Sequence, residues 1–340
     1  MIKLSIIVPV YNVEKYIRPC FESIFNQGLN DDEYEVIIVN DGTKDRSMEM
    51  IEEIISQHTN ITIINQENQG LSVARNNGIK AAKGEYILMP DSDDMLIENS
   101  LKPLLEKALE TKVDLIVADF VKIDANDNTL KIQQRDFNIK EKTGFELFLE
   151  DLNPHECYVW RTLYKRVFLL ENKLKFTPGV YCQDVPFTHE AYIKAKKCIK
   201  TSWLLNIYRK ARLESASLSF GKKKALDYTI IISKTWELTK LSNLTPEVLR
   251  KLKNDIYTSF TVFVHGTFSI IKDNKYRTFL LKELKRNTPD LFFSNGLNQW
   301  INSISFTFFP NLYFHFIKIK NILRKNFIIS KKNKIAIKWR

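Results

Sequence analysis

Three carboxylates directly follow an apolar run near the start of the chain, in the sequence YILMPDSDD at 86–94. Asp91, Asp93 and Asp94 are so close in sequence that their charges meet, and carboxylates about 4 Å apart repel by about 4 kcal/mol near a protein surface. A hard divalent cation would offset this repulsion, because Mg²⁺ and Mn²⁺ sites use one or two carboxylates plus ligand phosphates. The competing interpretation is a turn followed by an N-capped helix, since Asp and Ser favour both positions.

The elements that position these carboxylates follow from the hydrophobic pattern of the first 120 residues. Continuous apolar runs rich in β-branched residues predict strands covered on both faces, at 5–10, 35–40, 61–64, 86–89 and 114–118. Segments with helical spacing of apolar residues separate these runs, as at Ile17, Phe21 and Ile24. This alternation predicts an α/β fold with a doubly wound, mostly parallel sheet.

Ligands of such sheets bind beyond the carboxyl ends of the strands. Polar segments occupy those ends, at 9–15, 40–47, 65–78 and 90–94. They offer Asp41 as a hydrogen-bond acceptor, Gly42 for close approach and Arg75 as a phosphate fork. The sequence therefore predicts a metal and nucleotide-diphosphate site on this rim.

The composition is that of an ordinary soluble globular protein, with 340 residues, 44% hydrophobic and 27% charged. The cysteines show neither CxxC pairs nor framework spacing and are expected to be reduced thiols in a cytoplasmic protein. The first apolar run is short and lacks a cleavage site, which predicts a buried strand rather than a signal peptide. Apolar stretches fall short of the roughly eighteen residues of a spanning helix, so the chain is expected not to cross a bilayer.

The net charge of +11 is concentrated at the end of the chain, where residues 310–340 hold +9 and no acidic residue. Residues 299–340 interleave aromatic and aliphatic side chains with lysine. Such a basic amphipathic tail favours the surface of an anionic membrane. A helix packed on the protein is the second interpretation, and a nucleic-acid-binding arm is the least favoured.

The motifs VPVYN, VNDGTKDRS, NQGLSVARNNGI and PDSDD, in this order, resemble the nucleotide-sugar-binding half of inverting family 2 glycosyltransferases, which have the GT-A fold. Segments 160–187 and 208–217 resemble that family's acceptor side. The resemblance implies a GT-A domain at 1–220, with a nucleotide-sugar half at 1–120 and an acceptor half at 121–220. The helical spacing that follows predicts an appendage at 221–298, before the basic tail at 299–340.

The resemblance also implies roles for individual residues. Asp93 would hold a divalent cation, Mn²⁺ or Mg²⁺, that bridges both phosphates. Asp91 would contact the ribose or donor sugar and is the second candidate metal ligand. Asp41 would accept a hydrogen bond from the base, usually uracil. The implied donor-binding set is Pro9, Tyr11, Glu14, Asp41, Gly42, Arg75, Asp91, Ser92, Asp93 and Arg212.

Asp184, in the QDVPF segment, falls where the family places its catalytic base. With an unshifted pKa near 4 it would be ionised at pH 7. Its alternative role is a helix N-cap. The chain departs from the family pattern at Asn40, where Asp is frequent, and at Gln183, where Glu often precedes the base. Trp160 and Tyr158 are expected either to form the floor of an acceptor site or to pack in the core.

Taken together, these features predict a metal-dependent inverting transferase that moves a sugar from a UDP-sugar to a hydroxyl of a glycan or polyprenyl-diphosphate-linked acceptor. Its expected role is cell-surface polysaccharide synthesis, such as capsule or lipopolysaccharide. It is expected on the inner face of the cytoplasmic membrane, with no nucleic-acid partner. The alternatives are a nucleotidyltransferase, which should carry a glycine-rich basic loop where VPVYNVEKY stands, and a non-enzymatic membrane or nucleic-acid adaptor.

Overall fold

The computed structural model describes residues 2–124, 133–210, 220–288 and 291. The strands are β1 (Leu4–Val10), β2 (Tyr34–Asn40), β3 (Ile61–Asn65), β4 (Tyr86–Leu88), β5 (Met95–Leu96), β6 (Leu115–Asp124), β7 (Ile139–Lys142), β8 (Thr162–Lys165) and β9 (Cys198–Lys210). The α-helices are α1 (Ile17–Phe25), α2 (Glu52–Ser56), α3 (Leu71–Ala81), α4 (Leu101–Thr111), α5 (Gly144–Asp151), α6 (Arg166–Glu171), α7 (Asp184–Lys194), α8 (Lys222–Glu237), α9 (Pro246–Ile270) and α10 (Asn274–Asn287). Short 3₁₀ turns lie at Glu49–Ile51, Val159–Arg161 and Leu238–Lys240.

One mixed sheet organises the molecule, with the strand order β3-β2-β1-β4-β8-β6-β9-β5 and β7 paired to β9. The neighbours β3, β2, β1 and β4 run parallel, and so do β6 and β9. Strands β8, β5 and β7 pair antiparallel with their neighbours. The predicted α/β fold is therefore confirmed, and its parallel half carries the rim that the sequence singles out.

The two faces of the sheet bury two separate hydrophobic cores. Side chains of β1 alternate between them, with Ile7 on one face and Ile6 and Val8 on the other, as the two-residue period of a strand requires. Helices α1 and α4 cover the second face. Helices α3, α5, α7, α8 and α9 all contribute to the core on the first. The C-terminal helices α8 and α9 thus pack on the same face of the sheet as α3 and α7.

All five predicted strands are present, although β3 is less covered than its sequence suggests. Ile63 is 42% exposed, because β3 is the edge strand of the parallel half. No helix among the described residues has both the length and the apolar character needed to cross a membrane. The basic tail at 299–340 lies outside the described residues, and the domain boundary near residue 220 stays a prediction.

Candidate active site

The loops that follow β1 and β2 are joined to each other along the carboxyl rim. The amides of Asn12 and Glu14 donate to Thr43 Oγ1 (2.8 Å) and Asp45 Oδ2 (2.9 Å). In return, the Arg46 amide donates to Glu14 Oε2 at 3.1 Å. The Glu14 carboxylate therefore braces the neighbouring loop. In the same region, Pro9 is buried in β1 and Tyr11 is 42% exposed, so that the tyrosine is the more accessible of these predicted pocket residues.

Asp41 is a buried carboxylate that shapes the loop between β3 and α3. Its oxygens accept hydrogen bonds from Gln66 Nε2 at 2.7 Å and from the amides of Gln69 and Gly70, each at 2.8 Å. Because a carboxylate has about four acceptor sites, one further donor can still be accommodated. Gly42 has a φ of +67°, and a Cβ there would lie 3.0 Å from the Asn68 amide nitrogen, so glycine is needed for this close approach.

Three residues of the motif ARNNG, which lies on helix α3, each have a separate structural role. Arg75 is fully buried and points to the rim. Asn76 exchanges two hydrogen bonds of 2.9 Å with the backbone of Phe176, which ties α3 to the segment before α7. Gly78 lies against Ile7 so closely that a Cβ would come within 2.2 Å of the isoleucine side chain. The motif therefore fixes α3 on both β1 and the segment before α7.

The acidic loop after β4 gathers the three carboxylates at the rim. Oxygens of Asp91, Asp93 and Asp94 all lie within 4.8 Å of one another. This spacing and this all-oxygen donor set fit a hard divalent cation such as Mg²⁺ or Mn²⁺. Asp94, to which the family resemblance assigns no role, is held in the cluster by the Arg209 amide, which donates to Asp94 Oδ1 at 2.8 Å. Ser92 is buried within the loop.

Arg75 connects this acidic loop to Asp184. Its Nη1 donates to Asp184 Oδ1 at 2.8 Å, and its Nη2 donates to Asp91 Oδ1 at 2.5 Å. The guanidinium also lies 5.2 Å from the centroid of the Phe176 ring. The structure thus brings together Arg75, Asp91 and Asp184, which are widely separated in the sequence. The Arg75 nitrogens that were expected to bind phosphate are engaged with these two carboxylates.

Comparison with known proteins agrees with this arrangement. The model of the glycosyl transferase family 2 matches residues 5–171. An uncharacterized glycosyltransferase of Escherichia coli, YibD, is 30% identical over 231 residues, covering 66% of this chain and 67% of the relative. The chain belongs to glycosyltransferase family 2. It is a glycosyltransferase, and the family resemblance in its motifs is confirmed.

A second relative is similar over part of its length. The uncharacterized glycosyltransferase EpsJ of Bacillus subtilis is 37% identical over 211 residues, which span 61% of this chain and 60% of that protein. Among solved structures, the fold resembles Staphylococcus aureus TarS 1–349 in complex with UDP-GlcNAc, with a TM-score of 0.60 and 22% identity. That comparison covers 89% of this chain and 79% of TarS 1–349 and supports the GT-A fold.

The environment of Asp184 in this glycosyltransferase corrects one expectation from the sequence. Burial raises the pKa of the Asp184 carboxyl to about 6, an effect that Arg75 opposes and the charge of Asp91 reinforces. The expected pKa near 4 is therefore wrong, because it assumed a solvated carboxylate. The side chain still keeps 28% of its surface exposed, so that a ligand can reach it. Gln183 Nε2 also donates to Asp184 Oδ1.

An aromatic cluster lies close to the acidic loop on β9 and its neighbours. Trp160 is 1% exposed and stacks on Tyr158 at 4.8 Å, so Trp160 packs in the core and does not floor an acceptor site. Tyr208 lies 5.5 Å from Tyr158 and is partly exposed. Burial, Tyr158 and the three carboxylates together raise the pKa of Tyr208 to about 12. Tyr208, the first residue of the segment 208–217, is thus a neighbour of the rim to which the sequence assigned no individual role.

Arg212, the remaining predicted donor-binding residue, lies outside the described residues. The other charged residues of the predicted set fall into two groups. Arg75, Asp91, Asp93 and Asp184 lie together at the acidic loop. The carboxylates of Glu14 and Asp41 instead accept hydrogen bonds from neighbouring loops. The two groups differ in whether hydrogen-bond donors of a neighbouring loop face the carboxylate. The sequence carries no signal for this difference, because it depends on the folded chain.

Proposed function

We propose that this glycosyltransferase is a metal-dependent, inverting enzyme that transfers a sugar from a UDP-sugar to an acceptor hydroxyl. The observation that carries the proposal is the Arg75 bridge, which places a carboxylate of raised pKa beside a cluster of three acidic side chains. One group is suited to accept a proton and the other to hold a cation. The UDP-GlcNAc complex of the structural neighbour TarS supports the choice of a UDP-sugar as donor.

In the proposed mechanism, Asp184 takes the proton of the acceptor hydroxyl as that oxygen attacks the anomeric carbon of the donor. The bond from this carbon to the phosphate oxygen breaks, and UDP leaves from the opposite face. Because Arg75 and Gln183 both donate to Oδ1, we assign Oδ2 as the oxygen that accepts the proton. With a pKa of about 6, Asp184 is about 90% ionised at pH 7.

Asp93, Asp91 and Asp94 would hold the divalent cation. When bound, a cation supplies charge stabilisation for the departing diphosphate. Arg75 keeps Asp91 and Asp184 in fixed relative positions, and its own charge moderates the repulsion between them. The nucleoside side of the site would be lined by Tyr11, Asp41 and Gly42. There the Asp41 carboxylate would accept a hydrogen bond from an N–H group of the base.

The decisive experiment measures thermal stability with UDP in the presence and absence of Mn²⁺, for wild type and Asp93→Ala. Wild type is expected to gain about 2.7 kcal/mol at a hundredfold excess of UDP over its dissociation constant, and only with metal. Asp93→Ala is expected to lose this gain. Asp32→Ala removes an exposed carboxylate elsewhere on the surface and should respond like wild type. An equal response of wild type and Asp93→Ala would refute the metal site.

We further propose that the acceptor is a glycan or a polyprenyl-diphosphate-linked intermediate of cell-surface polysaccharide synthesis. In this proposal residues 1–220 form the transferase unit, 221–298 support it, and the basic tail at 299–340 binds the inner face of the cytoplasmic membrane. The support is the concentration of +9 charge in 310–340, interleaved with aromatic side chains.

Vesicle flotation tests the tail proposal. Full-length protein is expected to float with anionic vesicles, and a chain ending at residue 298 is expected to stay in the soluble fraction. Replacement of Lys331 and Lys332 by Glu should weaken flotation more than the same change at the exposed Lys196 and Lys197. Equal flotation of the full and shortened chains would contradict the proposal.

A further inference from the structure

Helix α8 contacts the short loop that precedes the catalytic residue. Asp227 is 1% exposed, and its Oδ2 accepts the backbone N–H of Tyr181 at 3.1 Å. One turn earlier, Lys223 Nζ donates both to Asp227 and to the carbonyl oxygen of Gly179. The next residue of the helix, Tyr228, lies 3.9 Å from Cys182 Sγ through its hydroxyl. Three residues of one helix thus hold three positions of one loop.

The loop that α8 holds leads directly into helix α7, which begins at Asp184. It turns sharply, since both Gly179 (φ +71°) and Cys182 (φ +54°) adopt the left-handed conformation. A non-glycine residue in that region costs about 1 kcal/mol or more and persists only where surrounding contacts impose it. The bonds from α8 are such contacts, so the start of α7 depends on them.

The chemical identity of Asp227 indicates a specific role rather than packing. Burying a carboxylate is costly unless charge and hydrogen bonds compensate it, and an apolar side chain would serve packing better. Asp227 receives that compensation from Lys223 and from the Tyr181 amide, that is, from the helix and the loop together. Its charge is therefore committed to joining these two elements.

A second connection fixes the remainder of α7. His189 Nε2 lies 3.3 Å from Asp255 Oδ2 on α9, and Lys251 donates to the same oxygen at 2.7 Å. Helix α7 is thus connected to α9 at its middle, through His189, whereas its first residue is located by the loop held to α8. The family match ends at residue 171, before these contacts begin.

We propose that Asp227 is a positioning residue for Asp184, acting through the loop at 179–183. This inference rests on the proposed role of Asp184 as the base. By holding Tyr181 and Gly179, helix α8 sets where the Asp184 carboxylate stands relative to Arg75 and the acceptor. The C-terminal helices then determine the rate of the reaction without touching either substrate.

The test combines hydrogen exchange with kinetics in the full-length enzyme. In Asp227→Ala, exchange of the segment 177–184 is expected to accelerate by about tenfold or more, because the Tyr181 amide loses its acceptor. The kcat for UDP-sugar turnover should fall by about 10- to 100-fold, since displacement of a reacting group by about 1 Å has effects of that size. KM for the donor should stay within about twofold, because the acidic loop is not altered.

Two further variants distinguish positioning from general support. Asp227→Asn retains an acceptor for the Tyr181 amide and should restore most of the kcat. Lys222→Ala, also on α8, breaks an ion pair with Asp273, the N-cap residue of α10, and should leave exchange and kcat unchanged. Wild-type kcat and wild-type exchange in Asp227→Ala would overturn the proposal.

Should Asp227→Ala fail to fold, Lys223→Ala takes its place, because Lys223 is 59% exposed and also holds Gly179. The same increase in exchange and fall in kcat are expected, and their absence would overturn the proposal. Failure of the proposed function is distinguishable, because Asp184→Asn would then turn over UDP-sugar like wild type. The exchange measurement reports on the loop in either case.

Discussion

Arg75 holds Asp184 through a hydrogen bond of 2.8 Å between Nη1 and Oδ1, and it does so from a completely buried position. Its other terminal nitrogen binds Asp91, so that one guanidinium determines the relative position of two carboxylates. Arginine suits this role because its planar fork presents two parallel sets of donors and stays charged at every relevant pH. A lysine could satisfy one carboxylate as a point charge but could not fix the geometry of both.

Replacing Arg75 by Ala is expected to destabilise the fold by about 3 kcal/mol, because two partly buried carboxylates lose their common cation. Urea denaturation measures this change. Arg18→Ala offers the matched control, since Arg18 also bonds two carboxylates, Glu22 and Glu53, but at an exposed surface. Its expected cost is much smaller, because exposed ion pairs contribute little to stability. Similar costs for the two variants would argue against a structural role of the buried bridge.

Asp184→Asn is expected to lower the transfer rate by about 10² to 10⁴, the usual contribution of a general base. UDP binding in the presence of metal should persist, because the three carboxylates of the acidic loop are unchanged. Calorimetric titration of UDP and a turnover assay over a panel of UDP-sugars measure the two effects separately. Retained turnover would assign the base to another residue.

The pH dependence of kcat should report the raised pKa of Asp184. A base must be deprotonated to act, so the rate is expected to fall about tenfold per pH unit below a pKa of about 6. The folded state binds the Asp184 proton more tightly than the unfolded chain does. This residue's contribution to stability therefore declines as pH rises from about 4 to about 6. An acidic limb centred near pH 4 would contradict the assignment.

Gly42→Ala should be more destabilising than Gly179→Ala, although both glycines have similar positive φ angles of +67° and +71°. Alanine at position 179 meets open space, so only backbone strain of about 1 kcal/mol is expected. At position 42 the added Cβ would press on the Asn68 amide 3.0 Å away, which should raise the cost to about 2 kcal/mol or more. Denaturant midpoints of the two variants compare the costs directly, and equal values would rule out the steric contribution.

The strands and the location of the rim were predictable because both depend on local patterns. Apolar runs at 5–10 and 35–40 mark β1 and β2, and polar residues follow each where the strand ends. The roles of Asp41 and Glu14 were not accessible in this way. Their carboxylates bind backbone amides at least 25 residues away, and a motif does not reveal which amides will face it.

The chemical state of Asp184 was also beyond the sequence. Its raised pKa comes from burial and from Arg75 and Asp91, both distant along the chain. Asp227 illustrates a further limit, because a single aspartate in a helix with lysines on either side looks like an exposed ion-pairing residue. Only the fold places it against Tyr181, buried and committed to a loop.

The bond from the Arg209 amide to Asp94 spans 115 residues of sequence. During synthesis on the ribosome, the acidic loop emerges long before β9, whose pairing with β6 and β5 brings this amide into place. Pairing between such distant segments is slow to form, because the intervening chain must first be ordered. A growing polypeptide therefore acquires its complete cluster of carboxylates only after residue 209 has left the tunnel, and shorter translation products lack it.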